Sequence, residues 1–192
     1  TDSTVAMAES YKRRNPERSI TIVSERDKGL YDAMNKAINM ARGKFVCFLN
    51  AGDKLHADDT LDKIASATSL HPDAGVIYGD TDIVDDNGTK LRSRRLSPPE
   101  HLNWKSFRNG MLVCHQAFYA NRSIIPPYDN QSYRFSADFD WCIRIMKKAA
   151  TKSMPLINSH EILADYLSEG MTTANHKASL RERFNIMKKH YG

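Results

Sequence analysis

The chain has 192 residues, 41% hydrophobic and 27% charged, enough for one domain with a substantial core and no need of disulfides or a structural metal. Its net charge of +5 admits anionic partners without choosing among nucleotides, nucleic acid and acidic lipid. Cys47, Cys114 and Cys142 sit among apolar residues without metal-type spacing, which points to reduced core thiols and a cytosolic compartment, and no apolar run approaches the ~20 residues that span a bilayer.

Residues 4–11 read as a helix with Val5, Ala8 and Tyr11 on one side, and Asp2 as its cap. Residues 19–24 alternate as a short strand. Leu30, Met34, Ala37, Ile38 and Ala41 then give a helix one apolar face, and Gly43 stands where a left-handed stop belongs. Residues 45–49 form a continuous apolar run, short enough for a strand covered on both faces, ending in Asn50-Ala51-Gly52-Asp53. In open α/β sheets ligands bind at the carboxyl ends of strands, so an acid placed there faces a substrate.

A second helix spans residues 58–70 and stops at His71-Pro72-Asp73. Residues 76–78 form a buried strand ending in Gly79-Asp80, and a hairpin follows with Asn87-Gly88 at its turn. Asp80 and Asp82 beside it read as solvated acids. Arg92, Arg94 and Arg95 read as a solvated strand face, or else as a contact for a phosphorylated ligand. Residues 100–110 are a linker or short helix around Trp104 and Phe107, and residues 110–119 a strand interrupted by His115-Gln116. A Pro-rich loop over residues 124–133 precedes a helix over residues 136–149, with Ser136 as N-cap and Asp138 in its first turn, where the helix dipole favours a carboxylate. Strand patterns recur at residues 155–157 and 162–167. The last helix, residues 179–191, has Leu180, Phe184 and Met187 apolar and Arg181, Arg183, Lys188 and Lys189 basic, either packed on the domain or laid on a membrane surface.

Together ERDKGLYDAMNKAI, ARGKF and FLNAGD resemble the signature of inverting family 2 glycosyltransferases, among them bacterial colanic-acid and other surface-polysaccharide enzymes. The resemblance covers nearly the whole chain. It implies an α/β domain of GT-A fold, with a mixed, mostly parallel sheet flanked by helices. It also implies that the N-terminal strands, which hold the nucleotide base and ribose, are missing. Residues 1–80 would form a donor-binding part and residues 81–192 an acceptor and catalytic part.

The same resemblance assigns roles. SADFDW is similar to the family's A-D-Y-D element, so Asp138 would be the base that takes the acceptor proton, with Asp140 a supporting acid on the acceptor side. His115 and Gln116 resemble an H-Q element beside sugar and acceptor. Asp27, Lys28, Asp32, Asn50 and Gly52 would bind the donor, and Asn35 and Lys36 would face the nucleotide or water. The family's D-A-D-D loop is here Asn50-Ala51-Gly52-Asp53, which leaves Asp53 to hold Mg²⁺ or Mn²⁺ with the help of donor phosphates. A G-G-x-S loop is replaced by Glu169-Gly170-Met171-Thr172, where Thr172 or His176 would meet phosphate. The implied function is transfer of a sugar, with inversion, from a nucleotide-sugar to a glycan or lipid-linked acceptor. Peripheral contact with the inner membrane face is compatible with it. No aromatic-basic motif supports nucleic acid as a partner. The rival reading is a noncatalytic nucleotide- or glycan-binding module, which would keep donor binding while losing the metal.

Overall fold

The computed structural model describes residues 2–168 and 175–192. Helix α1 spans Thr4–Arg14 and α2 Leu30–Met40; strands β1, Phe45–Val46, and β2, Lys54–Leu55, flank the loop that carries Asp53. Helix α3, Thr60–Leu70, leads to the long strand β3, Val76–Val84, and its hairpin partner β4, Lys90–Ser93. After 3-10 turns come β5, Phe118–Asn121, α4, Ala137–Thr151, β6, Leu156–Leu167, and α5, His176–Tyr191.

The sheet runs β1-β5-β3-β6-β2, with β4 added to β3. It is mixed, as the resemblance implies, but the emphasis on parallel pairing needs correction. Among the described strands only β3 and β6 pair in parallel; β1–β5, β5–β3, β3–β4 and β6–β2 are antiparallel. A parallel pair requires a long crossover. Here the crossover carries β4, β5 and α4, and two of those strands return antiparallel against β3.

Strand β3 is buried on both faces; its sequence VIYGDTDIV is apolar at both ends, and the buried Asp82 in its polar centre is paired with Lys90 at 2.8 Å. Val76 and Tyr78 face the larger core with Phe107, Phe118, Phe139, Trp141 and Met146; Ile77 faces a smaller one with Ile64 of α3, Tyr119 and Leu163. Amphipathic α2 inserts Tyr31 and Met34 into the larger core. Trp141 is fully buried, and its indole N–H donates to the Pro126 carbonyl at 2.8 Å. Gly79 is obligatory where β6 irregularly rejoins β3: a Cβ there would lie 2.7 Å from Ser159 Oγ and 2.8 Å from Leu163 Cγ. At that irregularity His160 takes a left-handed φ of 58°.

Several expectations shift. Residues 19–24 are extended but pair with no strand among the described residues. Gly43 is not left-handed; α2 ends at Ala41, whose backbone is already extended at φ −62° and ψ 132°. The 45–49 strand pairs only over Phe45–Val46, because β5 meets it only at Asn121 and Ala120 before turning away. The 76–78 strand instead runs through Val84 into the Asn87-Gly88 hairpin, with Gly88 at φ 79°. Residues 110–119 are largely irregular, since a 3-10 turn at His115–Ala117 breaks the run before β5. The expected strand patterns at 155–157 and 162–167 are one strand, β6. All three cysteines are free.

Helix α5 is fastened to α4 by a buried ion cluster. Asp140, with 0% side-chain exposure, meets Arg144 one turn on and, from α5, Lys189 at 3.1 Å and His190 at 2.9 Å. Burial by itself would raise this carboxyl, but the hydrogen bond from His190, the charge and hydrogen bond of Arg144 and the hydrogen bond from Lys189 overcome it and hold Asp140 well below the usual carboxylate range. A depressed folded-state pKa contributes stability above the unfolded value, about 3.9, and that contribution is lost as pH falls below it. Asp140→Asn should therefore cost about 3 kcal/mol at pH 7, the scale of stripping one partner from a buried ion pair, and measurably less at pH 3, the rest of the contribution fading only as pH falls further toward the folded-state value. Urea melts at the two pH values check this; an equal loss at both would contradict it.

Candidate active site

A cavity of about 490 Å³ opens where β3 and β6 end, bounded by the start of α2, the 50–53 loop, the turn at His115–Ala117 and the start of α4. Asn50, Asp53, His115, Gln116 and Asp138 all line it. The sequence scatters these residues over almost ninety positions; the sheet gathers them.

Asp53 is held by a chain of donors. Gln116 Nε2 donates to its Oδ2 at 2.6 Å, the Asn50 N–H at 3.3 Å to the same oxygen, and the Leu167 N–H at 3.2 Å to Oδ1. Gln116 is oriented in turn by the Cys114 thiol, which donates to its Oε1 at 3.0 Å. Burial pushes that thiol up, keeping it a protonated donor. Gly52, at φ 91°, makes the turn possible, and a Cβ on it would come within 2.6 Å of Leu167 Cδ2. A carboxylate has about four lone-pair directions, so three donors leave Asp53 roughly one for a further ligand.

Asp138 sits in the first turn of α4. Its Oδ1 accepts from the Tyr31 hydroxyl at 3.1 Å and from the Phe139 N–H at 2.9 Å. Burial, reinforced by Asp138, pushes the Tyr31 phenol far above its ordinary value, so Tyr31 remains a donor. Oδ2 makes no hydrogen bond among the described residues. The loop entering α4 is fixed from α5 by Glu182, whose carboxylate accepts the N–H groups of Arg134 at 2.8 Å, Phe135 at 2.9 Å and Ser136 at 2.8 Å.

His115 is buried in an aromatic box. Its Nε2 bonds the Tyr128 hydroxyl at 2.6 Å and its ring stacks on Phe48 at 5.3 Å, with Trp141 edge-on at 5.5 Å. Burial pushes its pKa down, so the ring is neutral at pH 7. Only one edge of it reaches the cavity, as befits a floor residue.

Other expected residues lie elsewhere. Asp140 is not at the cavity; its place is the ion cluster between α4 and α5, because its side chain points off the opposite side of the helix turn from Asp138. Asp27 and Asp32 stand on the far side of α2, where Lys36 gathers them with Glu25: Lys36 Nζ is 2.7 Å from Asp27 and 3.6 Å from Asp32. Asp32 also accepts the Lys28 N–H at 3.0 Å, so it caps the helix start. The Lys28 side chain is exposed. Asp27 and Lys36 line a second cavity of about 830 Å³ between α2 and the 19–27 segment. Asn35 faces neither nucleotide site nor water, since its amide is exchanged with the Tyr128 backbone at 2.7 and 3.1 Å. Thr172 lies outside the described residues, and His176 is exposed at the start of α5.

Of the expected basic cluster, Arg94 alone turns inward, and Arg134 and Arg183 join it in lining the cavity. Asp82 is buried, not solvated, and with His56 and Asp165 presents three ligand atoms within 4.8 Å of one another. Ile83, its neighbour along β3, lines the cavity, so alternation turns Asp82 to the other sheet face. Lys90 already pairs with Asp82 at 2.8 Å, and His56 contacts Asp165 at 2.7 Å. Glu182, Arg134 and Arg183 carried no motif, and Tyr31, though inside the ERDKGLYDAMNKAI stretch, was given no role there.

Glu182→Ala should orphan the half-buried Phe135 and buried Ser136 N–H groups, together with the exposed one of Arg134, and cost about 2–4 kcal/mol. Because it loosens the turn that presents Asp138, any turnover should fall more than binding of a nucleotide does. Thermal melts with nucleotide titration check this, and a variant with unchanged stability would contradict it.

A model of the family described as Glycosyl transferase family 2 matches residues 1–125. A "PGL/p-HBAD biosynthesis glycosyltransferase" of Mycobacterium bovis is 33% identical over 169 residues, covering 86% of this chain and 61% of the relative. The "Amylovoran biosynthesis glycosyltransferase AmsB" of Erwinia amylovora is 27% identical over 154 residues, covering 73% and 50%. The chain thus spans about half to three-fifths of the length of these curated relatives. S. aureus TarS, solved in complex with UDP, superposes with a TM-score of 0.66 at 15% identity, over 97% of this chain and 51% of that one, which fixes the fold as GT-A. With the family model matching residues 1–125 of its 192, this chain belongs to glycosyl transferase family 2.

Proposed function

We propose that the chain is the catalytic part of an inverting glycosyltransferase that moves a sugar from a nucleotide-sugar to a glycan or lipid-linked acceptor in surface polysaccharide or glycolipid synthesis. The observation that carries this reading is the state of Asp138. One oxygen is anchored by Tyr31 and the helix turn, and the other makes no hydrogen bond among the described residues, in a cavity shared with Asp53. Such a carboxylate is positioned to take the proton of an acceptor hydroxyl as that oxygen attacks the anomeric carbon, with the nucleoside diphosphate leaving from the opposite side. The UDP in TarS supports a nucleotide donor. The donor would run along α2, its nucleoside toward the 830 Å³ cavity with Glu25 and Asp27, and its sugar toward the 490 Å³ cavity. On this reading residues 1–80 bind donor and residues 81–192 bind acceptor and supply the base.

A divalent cation, Mg²⁺ or Mn²⁺, would be held by Asp53 and donor phosphate oxygens; the one remaining lone-pair direction on Asp53 fits a single protein bond to it. The cation supplies charge stabilisation to the departing diphosphate. Among the described residues no helix is long and apolar enough to cross a membrane. Peripheral contact of α5 with a lipid surface is part of the proposal, supported by exposed Leu180 and Phe184 beside Arg181 and Lys188.

Asp138→Asn should lower turnover by about 10²–10⁴-fold with donor affinity nearly unchanged. Asp53→Ala should weaken UDP binding in Mn²⁺ more than in its absence. Turnover assays and calorimetry on the full-length protein check both. Normal turnover in Asp138→Asn would remove it from the role of base, and donor binding without turnover in the wild type would favour a noncatalytic binding module.

A further inference from the structure

Three guanidinium groups line the 490 Å³ cavity, and they are not equivalent. Arg94 is fully committed to backbone: Nη1 donates to the Leu96 and Leu112 carbonyls at 2.9 and 3.0 Å and Nη2 to the Met111 carbonyl at 2.6 Å. Its work is to tie the hairpin exit to the 111–112 segment. Arg183 and Arg134 have no such commitment. The Arg183 guanidinium lies 5.6 Å from the Phe139 ring, and its Nε is buried without a hydrogen-bond partner. The Arg134 guanidinium lies 5.8 Å from the Phe135 ring, and only its backbone N–H is held, by Glu182. No carboxylate pairs with either side chain among the described residues.

A buried guanidinium nitrogen without a partner is costly, and Arg forks match phosphate oxygens in geometry as well as charge. Both groups bracket Asp138: Arg134 lies four residues before it, and Arg183 covers the ring of the residue after it. The Asp53 end of the cavity is built from other elements, the 50–53 loop, Gln116 and the end of β6. Resting on the reading of Asp138 as the base that meets the acceptor, we propose that Arg134 and Arg183 form a site for a phosphate ester carried by the acceptor. The reacting hydroxyl would then be fixed relative to Asp138 by a charged anchor a short distance away, and neutral acceptors would be disfavoured.

The test uses full-length protein saturated with UDP and Mn²⁺, titrated calorimetrically with glycerol 1-phosphate as the probe. Affinity for the probe should fall about tenfold or more in Arg134→Gln and Arg183→Gln, the worth of a lost charge-assisted hydrogen bond. It should be intermediate in Arg183→Lys, with UDP affinity within about twofold throughout. Thermal melts on each variant separate loss of binding from loss of fold. No probe binding to the wild type, or wild-type affinity for the probe in both Gln variants, overturns the proposal. A fall in UDP affinity instead of probe affinity also overturns it and moves the arginines to the donor diphosphate. If UDP fails to bind while the probe still depends on both arginines, the phosphate site stands and the donor reading falls.

Discussion

The structure depends on one pairing, the parallel contact of β3 with β6. Every antiparallel strand but β1 joins one of these two, and both cores are made from their opposite faces. Because parallel neighbours cannot be joined by a tight turn, the chain between them must travel, and what it carries on that journey is about half of the cavity wall, with Arg94, Cys114, His115, Gln116, Arg134 and Asp138 in it. The end of β6 then returns to close the circuit by donating the Leu167 N–H to Asp53, a residue more than a hundred positions earlier. The irregular join around Gly79 and His160 lets the two strands stay paired to their carboxyl ends despite a mismatch in their course.

The two cavity carboxylates are held by opposite strategies. Asp53 accepts donors from three segments on both oxygens, so its position is set by the packing of the loop, Gln116 and β6 together. Asp138 is held on one side only, by a phenol that burial keeps protonated. The first arrangement suits a group that must not move; the second suits one that must accept a proton and keep its place. Behind both, buried charge does the bracing. Glu182 and Asp140 each join α5 to α4, one at the helix entrance and one farther along it.

Much of this was legible in the chain. The α2 periodicity, the Asn87-Gly88 turn and the α4 entrance announced themselves because each is a local agreement between side-chain pattern and backbone preference. The resemblance picked out Asp53, Gln116 and Asp138, which the fold indeed brings to one cavity. Asp140 was misplaced because two acids two residues apart on a helix point to different sides, and motif likeness does not say which side is which. The paired extent of β1 and the irregular run before β5 were not legible, since both are set by where a distant strand stops pairing. Arg183 and Glu182 could not be found at all: their roles exist only once α5 docks on α4, and a basic amphipathic helix reads the same with or without that docking.

The aromatic box under the cavity has an optical consequence. The chain holds two tryptophans, and the fold puts them in unlike surroundings. Trp141 is sealed beneath the cavity floor, stacked on Tyr128 at 4.7 Å and edge-on to the His115 ring. Trp104 is half-buried, coplanar with Tyr191 at 5.6 Å and with the Lys147 ammonium 4.5 Å from its ring. A sealed indole such as Trp141 should emit to the blue of half-exposed Trp104, the first sensing the cavity floor and the second the seating of the end of α5. One spectrum of the unlabelled protein therefore carries separate signals from the floor of the site and from the helix that braces it.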